Sequence, residues 1–252
     1  MAKNPWKVVE EIIRDSDLLL NILDARFPDK TMNSVIEGKI RTAGKTFFYV
    51  INKTDLVDTT KTKSSIQMLK ARAPVIAFSA KDRTGKGKLM DFIKRFAKES
   101  KKAIRVGIVG YPNVGKSAII NALTGRKAAP TSPVAGYTKG KRWVKLTEDI
   151  LLVDTPGVIP NKEKSEIELI MKDAITKIVD PEGVAEELLI RLIKKNKRAV
   201  EKFYNVEARE DVHDTLTAIA ISKSKLKKGG IPDLAGAGKL IIDDWQRGKL
   251  VI

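Results

Sequence analysis

The 252-residue chain is 42% apolar, lacks cysteine, holds one histidine and carries a formal net charge of +17. Its length and apolar content allow one α/β domain and a smaller companion rather than a disordered chain, and the absence of cysteine excludes disulfides and thiolate metal centres and suits a reducing compartment. No run of about 18 apolar residues and no signal-peptide pattern is present, so a cytoplasmic protein is expected, and the basic excess points to an anionic macromolecule or serves solubility.

The first apolar run, 17–24, predicts a strand that breaks at Asp24-Ala25-Arg26-Phe27-Pro28, where proline ends the ladder. A second predicted strand, 46–52, ends in Asn52-Lys53-Thr54-Asp55. An ionised aspartate only accepts hydrogen bonds, so Asp55 matches the N1–H and N2–H donors of guanine, whereas the N1 acceptor of adenine would leave it unpaired. Charge-assisted bonds contribute about 1.5 to 3 kcal/mol each, enough for Asp55 to dominate base choice. Taken alone, Asn52 and Asp55 read somewhat better as caps of a turn or helix. The third strand, 74–79, runs into Ser79-Ala80-Lys81, where a backbone N–H can reach guanine O6. A helical pattern over 84–100 follows, and the polar stretch 98–102 makes a surface connection.

The fourth strand, 104–110, opens Gly110-Tyr111-Pro112-Asn113-Val114-Gly115-Lys116-Ser117. This is G-x-x-x-x-G-K-[ST], in which glycines let backbone N–H groups close around phosphate oxygens, the lysine meets the β/γ charge and the hydroxyl holds magnesium. Lys116 and Ser117 fill the last two roles, and amides of the loop, Asn113, Val114, Gly115 and Ala118 among them, cradle phosphate at the start of a predicted helix. Two further strands, 141–146 and 149–154, lead to Asp154-Thr155-Pro156-Gly157. There Asp154 suits magnesium and the Gly157 N–H suits a γ-phosphate.

Beyond 160–162 the pattern is helical, over 166–179, 183–203, 212–226 and 235–247, punctuated by Pro181, Gly229-Gly230 and Pro232. The predicted domains are 1–162 and 163–252. Trp245, Leu240, Ile241 and Ile242 read as core, and His213, with no second histidine or cysteine for a metal, reads as an ordinary helix-start residue. Residues 1–160 hold 30 Lys+Arg and 15 Asp+Glu, leaving 48 − 30 = 18 and 31 − 15 = 16 for the remainder, so the basic excess sits on the first domain. Arg126, Lys127, Lys139, Lys141, Arg142 and Lys145 surround the segment expected to sense the γ-phosphate. Further basic clusters, 194–198 and 223–228, fit either phosphate contacts or solvated helix faces.

The order of these parts is unusual: the guanine-reading elements precede the phosphate loop, the reverse of a Ras-type GTPase. Together with Asp24-Ala25-Arg26-Phe27-Pro28, which is similar to a D-A-R-x-P motif, and with Gly229-Gly230-Ile231-Pro232-Asp233 and Asp244-Trp245-Gln246-Arg247-Gly248-Lys249-Leu250 near the far end, this resembles the circularly permuted GTPases of the YlqF/YawG ribosome-assembly family over nearly the whole chain. The resemblance implies an α/β fold, a permuted, Rossmann-like P-loop domain with a mostly parallel six-stranded sheet, followed by a small all-helical domain that binds ribosomal RNA. Because the D-x-x-G turn leads straight into that domain, switch motion becomes domain motion.

The resemblance further implies a monomeric assembly factor for the large ribosomal subunit that hydrolyses GTP slowly. Thr138, in Gly136-Tyr137-Thr138, aligns with the family's G-x-T as the second magnesium hydroxyl, with Thr131 and Ser132 as competitors. Lys116, Thr138 and Gly157 are the expected catalytic set, with Mg2+ held by Ser117, Thr138 and Asp154. Val158 stands where Ras-type enzymes carry a water-orienting glutamine and cannot bond water, so activation must come from elsewhere. Pro112-Asn113 resembles the loop of potassium-activated GTPases, which makes Asn113 a ligand for K+. A signalling or trafficking GTPase with a protein partner is the alternative, and an RNA-modification role lacks a visible accessory domain.

Overall fold

The computed structural model describes residues 5–125, 142–154 and 178–250, and the chain divides into two compact units, Met1–Asn161 and Lys162–Ile252. In the first unit, β1 (Leu18–Asp24) is buried at every position, as expected of a strand covered on both faces. Around it stand β2 (Thr46–Asn52), β3 (Val75–Ala77), β4 (Ile104–Val109), β5 (Arg142–Lys145) and β6 (Ile150–Asp154). Their order is β3-β2-β1-β4-β6-β5, all neighbours parallel except the antiparallel pair β5 and β6. This is the mostly parallel six-stranded α/β sheet expected above.

Period-two side-chain alternation sorts the sheet into two faces. Leu18, Leu20 and Ile22 of β1 join a core with Leu89 and Ile93 of α5 (Lys86–Ser100) and with Ile119, Ile120 and Leu123 of α6 (Lys116–Thr124). Leu19 and Leu23 join the opposite core, with Val8, Val9, Ile12 and Ile13 of α1 (Pro5–Asp15), Ile36 and Ile40 of α3 (Ser34–Thr42) and Leu69 of α4 (Thr59–Lys70). A short α2 (Pro28–Thr31) begins on the proline that ends the β1 turn. From β1 the chain builds outward through β2 to β3, then returns to the other flank of β1 as β4. The reversal between β1 and β4 separates their following loops and opens the crevice in which such sheets bind ligands.

The second unit contains α7 (Pro181–Tyr204), α8 (Val212–Ser222) and α9 (Leu234–Gln246). Leu188, Leu189, Leu216, Ile219, Ile241, Ile242 and Trp245 are buried, so Trp245 serves the core. Gly238 lets α9 approach α7: a Cβ there would lie 2.2 Å from the Pro181 carbonyl oxygen. The expected 212–226 helix stops at Ser222, because Ser224 takes a left-handed φ of 51° and Leu226 bridges antiparallel to Pro232 around Gly229 and Gly230. The helix read over 183–203 is broken at Asn196 (φ −157°, ψ 86°), whose Oδ1 accepts from Ala199 N–H and starts a fresh turn. Similarly, α5 starts at Lys86 rather than 84, behind Gly85 at φ 80°.

His213 is an exposed residue at the start of α8, as expected, and its side chain also makes a contact between helices. Its Nδ1 lies 2.9 Å from Glu186 Oε1 and 4.0 Å from Glu182 Oε1, linking α8 to α7. The Glu186 hydrogen bond, with the charges of Glu186, Glu182 and Asp211, raises the imidazole pKa. Residues 166–177 of the helix expected at 166–179 lie outside the described residues, and 178 and 179 are not helical. Among those described, no helix is long and apolar enough to cross a membrane.

Candidate functional site

Because β1, β2, β3, β4 and β6 are parallel, every motif that follows one of them emerges at the same edge of the sheet. Asp24, Asn52, Ser79, Gly110 and Asp154 come from strands scattered along the sequence and stand along that one edge. Three of the candidate nucleotide motifs, and the Asp154 that begins the fourth, therefore share a location that their sequence order conceals.

The phosphate loop leaves β4 at Gly110 and enters α6 at Lys116. Gly110 has φ 143° and a Cβ there would come within 2.6 Å of the Ile22 carbonyl oxygen, so a side chain would push β4 off β1. The Lys116 ammonium donates to the carbonyl oxygens of Gly110 at 2.9 Å and Tyr111 at 2.6 Å, drawing the loop around itself. Tyr111 and Val114 are buried in the core beside α6, which fixes the loop from beneath. The Tyr111 hydroxyl accepts from Asn33 Nδ2 at 3.0 Å, while Asn33 Oδ1 caps α3. Asn113 takes a left-handed φ of 59°. The N-cap residue of α6 is Gly115, which has no side chain to cap it, and a helix N-terminus at this edge of the sheet favours an anion.

Across the switch point, Asn52 uses both ends of its amide. Nδ2 donates to the Val114 carbonyl oxygen at 2.8 Å, and Oδ1 accepts from Ala80 N–H at 3.2 Å. One buried side chain thus joins the phosphate loop, the Asn-Lys-Thr-Asp loop and the Ser-Ala-Lys turn. Sequence reading assigned Asn52 to guanine; the structure gives it partners within the protein. Asp55 Oδ1 accepts from the Ser79 hydroxyl at 2.7 Å, which orients the carboxylate. Ser79 N–H donates to the Thr84 carbonyl oxygen, Ala80 N–H goes to Asn52, and Lys81 is exposed at the tip of the turn.

Beneath this loop lies a charged cluster that the sequence did not reveal. Lys53, at φ 64° and ψ 35°, starts the 3-10 turn Thr54–Leu56 that bears Asp55, and its ammonium lies 2.9 Å from Asp24 Oδ2. Asp24 also accepts from Arg26 in bidentate fashion, Nε to Oδ1 at 3.0 Å and an Nη to Oδ2 at 2.7 Å, and from Arg26 N–H at 3.0 Å. Burial disfavours the charged carboxylate, but Lys53 and Arg26 outweigh it and hold its pKa well below the usual range. Burial pushes the Lys53 ammonium down to about 8 in spite of Asp24. The Asp-Ala-Arg turn, read as a strand break, is thus also the floor of the base loop.

Ser117 is the second residue of α6, and β6 ends at Asp154 beside β4. A serine hydroxyl and an aspartate carboxylate are hard oxygen donors, a set whose chemistry fits magnesium. The Asp154 and Arg142 side chains, together with Arg126, Lys127, Thr131, Ser132, Thr138, Lys139, Lys141, Gly157, Val158 and the 160–162 boundary, lie outside what is described.

A family model described as "50S ribosome-binding GTPase" matches residues 105–211. An uncharacterised GTP-binding protein of Methanocaldococcus jannaschii is 40% identical over 97% of this chain and 65% of its own length. Nuclear/nucleolar GTPase 2 of Arabidopsis thaliana is 34% identical over 99% of this chain and 44% of its own. The chain thus spans about half to two thirds of these relatives. The crystal structure of GNP-bound YlqF from T. maritima superposes with a TM-score of 0.63 at 24% identity, covering 97% of this chain and 94% of that one, and so shares its fold.

Proposed function

We propose that this chain is a circularly permuted GTPase of the YlqF-like kind, which binds GTP and hydrolyses it slowly as an assembly factor for the large ribosomal subunit. The observation that carries the reading is the Asn52 bridge, which sets the phosphate loop at a fixed distance from the Asp55 carboxylate. A guanine nucleotide spans those two points. Asp55 accepts from guanine N1–H and N2–H, and the Lys81 N–H meets O6. Lys116 and the amides of Asn113, Val114, Gly115, Ser117 and Ala118 receive the phosphates.

Ser117, Thr138 and Asp154 would hold Mg2+, which when bound neutralises charge on the β- and γ-phosphates. Thr138 and Gly157 sense the γ-phosphate, Asn113 contributes to a K+ site, and Val158 leaves water unoriented, so the ribosomal particle supplies the activating element. Lys194, Lys195, Lys197 and Arg198 are exposed around the break in α7 and offer phosphate contacts to ribosomal RNA. A monomer in the cytosol goes with this role.

The test is co-sedimentation of the protein with purified large-subunit precursors in a GTP analogue or GDP, over a salt series. Tighter association with the analogue and a steep fall with log salt are expected. Association independent of nucleotide and salt would remove the ribosomal role and favour a protein-binding switch.

A further inference from the structure

We propose that Asp24 is a positioning residue for guanine selection: through Lys53 it fixes the loop that presents Asp55. The proposal rests on the guanine reading of Asp55 above and deepens it. Two connections join the Asp24 turn to the base loop. In the sheet Asp24 pairs with Asn52, and Ala25 N–H donates to the Asn52 carbonyl oxygen at 2.8 Å. From the side chain, Oδ2 grips the Lys53 ammonium at 2.9 Å. Arg26 occupies both carboxylate oxygens in a fork, which leaves Asp24 one orientation.

Lys53 is what this grip controls. A lysine at φ 64° sits in a region that L residues enter at a cost, and it stands directly before the turn that carries Asp55. Lys53 makes no side-chain capping bond to that turn, which Thr54 ties to the Phe78 carbonyl oxygen through its N–H at 3.2 Å and its hydroxyl at 3.0 Å. The lysine side chain is only 15% exposed, so its charge is compensated chiefly by Asp24. Without the carboxylate, Arg26 would repel the ammonium and burial would penalise it. Lys53 would swing to solvent and relax its backbone, and Asp55 would lose its set angle toward the two guanine donors.

A purely stabilising role explains the cluster less well. A buried ion pair is often matched or exceeded in stability by apolar residues of the same volume, because desolvation consumes the Coulombic gain. Two cations and a carboxylate buried at the strand end that begins the base loop are better accounted for by geometry than by stability.

The experiment is a double-mutant cycle on GDP and inosine diphosphate binding, since inosine lacks the N2 amine and the ratio of the two affinities reads the second Asp55 bond directly. Asp24→Asn should weaken GDP binding by about tenfold and shrink the GDP over inosine diphosphate preference, and in a Lys53→Met background it should cost little more. Asp24→Asn that folds and keeps both affinity and preference, or losses that simply multiply in the double variant, would overturn the proposal. Should Asp24→Asn fail to fold, Lys53→Met breaks the same pair from its other end, and an unchanged preference there overturns it too. Asp55→Asn runs in parallel: if it leaves the preference intact, the guanine reading itself fails. If Asp55→Asn abolishes the preference while Asp24→Asn does not, only the positioning role fails.

Discussion

Asn52 Nδ2 donates to the Val114 carbonyl oxygen at 2.8 Å, tying residues 62 positions apart in sequence and joining the base-reading half of the site to its phosphate-binding half. The contact also explains Gly115, which has φ 96° and whose Cβ, if present, would lie 2.3 Å from that same nitrogen. The glycine of the phosphate loop is required twice, by its backbone and by the asparagine above it.

Asn52→Ala should therefore act on stability before it acts on the base. It leaves the Val114 carbonyl and the Ala80 N–H without their partner, a cost of about 1 to 3 kcal/mol. Urea unfolding should show a lower midpoint, and Gly115→Ala should fall in the same direction. An unchanged midpoint in both variants would mean that the loops are held by other contacts.

Base choice should invert in Asp55→Asn. The amide donates where the carboxylate only accepts, so guanosine nucleotides should weaken and xanthosine nucleotides, with an acceptor at C2, should improve. Competition against a fluorescent GDP analogue measures this, and retained guanine preference removes Asp55 from the base site.

Hydrolysis should run faster in potassium than in sodium at equal ionic strength, and Asn113→Ala should abolish the difference. Phosphate release in the two salts is the assay. Equal wild-type rates would exclude the ion site at Asn113.

Acid should unfold the first unit through Asp24. Its folded pKa lies below the ordinary carboxylate value, so the stability it contributes is complete above about pH 4 and is lost as pH falls through the folded value. Asp24→Asn should flatten that limb of a stability curve. An acid limb equal in the two proteins would assign the loss to other carboxylates.

His213 has the opposite sign. Its pKa is raised, chiefly by the Glu186 hydrogen bond, so its contribution is full below about pH 6.5 and disappears as pH rises through the higher folded value. An NMR titration of this single imidazole should give the raised value, and Glu186→Gln should return it toward the ordinary one. A value near that of a free histidine in the wild-type protein would dissolve the link between α8 and α7.

The strands were legible in outline because each is a short apolar run ending in a recognisable loop, and a parallel sheet must place those ends together. Helix ends were less legible. The apolar pattern of α8 continues past Ser222, and only the left-handed Ser224 and the Leu226 to Pro232 bridge, which is formed by tertiary pairing, decide that the chain turns back.

At the site, the sequence by itself determined the chemistry: Lys116, Ser117 and the glycines of the phosphate loop, and the Asp55 carboxylate, each lie within a few consecutive residues whose spacing is fixed by covalent geometry. Only the tertiary structure decided the partners. Asp55 with Ser79, Asn52 with Val114 and Ala80, and Lys53 with Asp24 are contacts between different strand ends. Local pattern specifies which face of a strand is buried and what group stands at its end. Which ends become neighbours follows from strand order, and the placement of β1 between β2 and β4 is what turned the Asp24 turn, read alone as a break, into the support of the base loop.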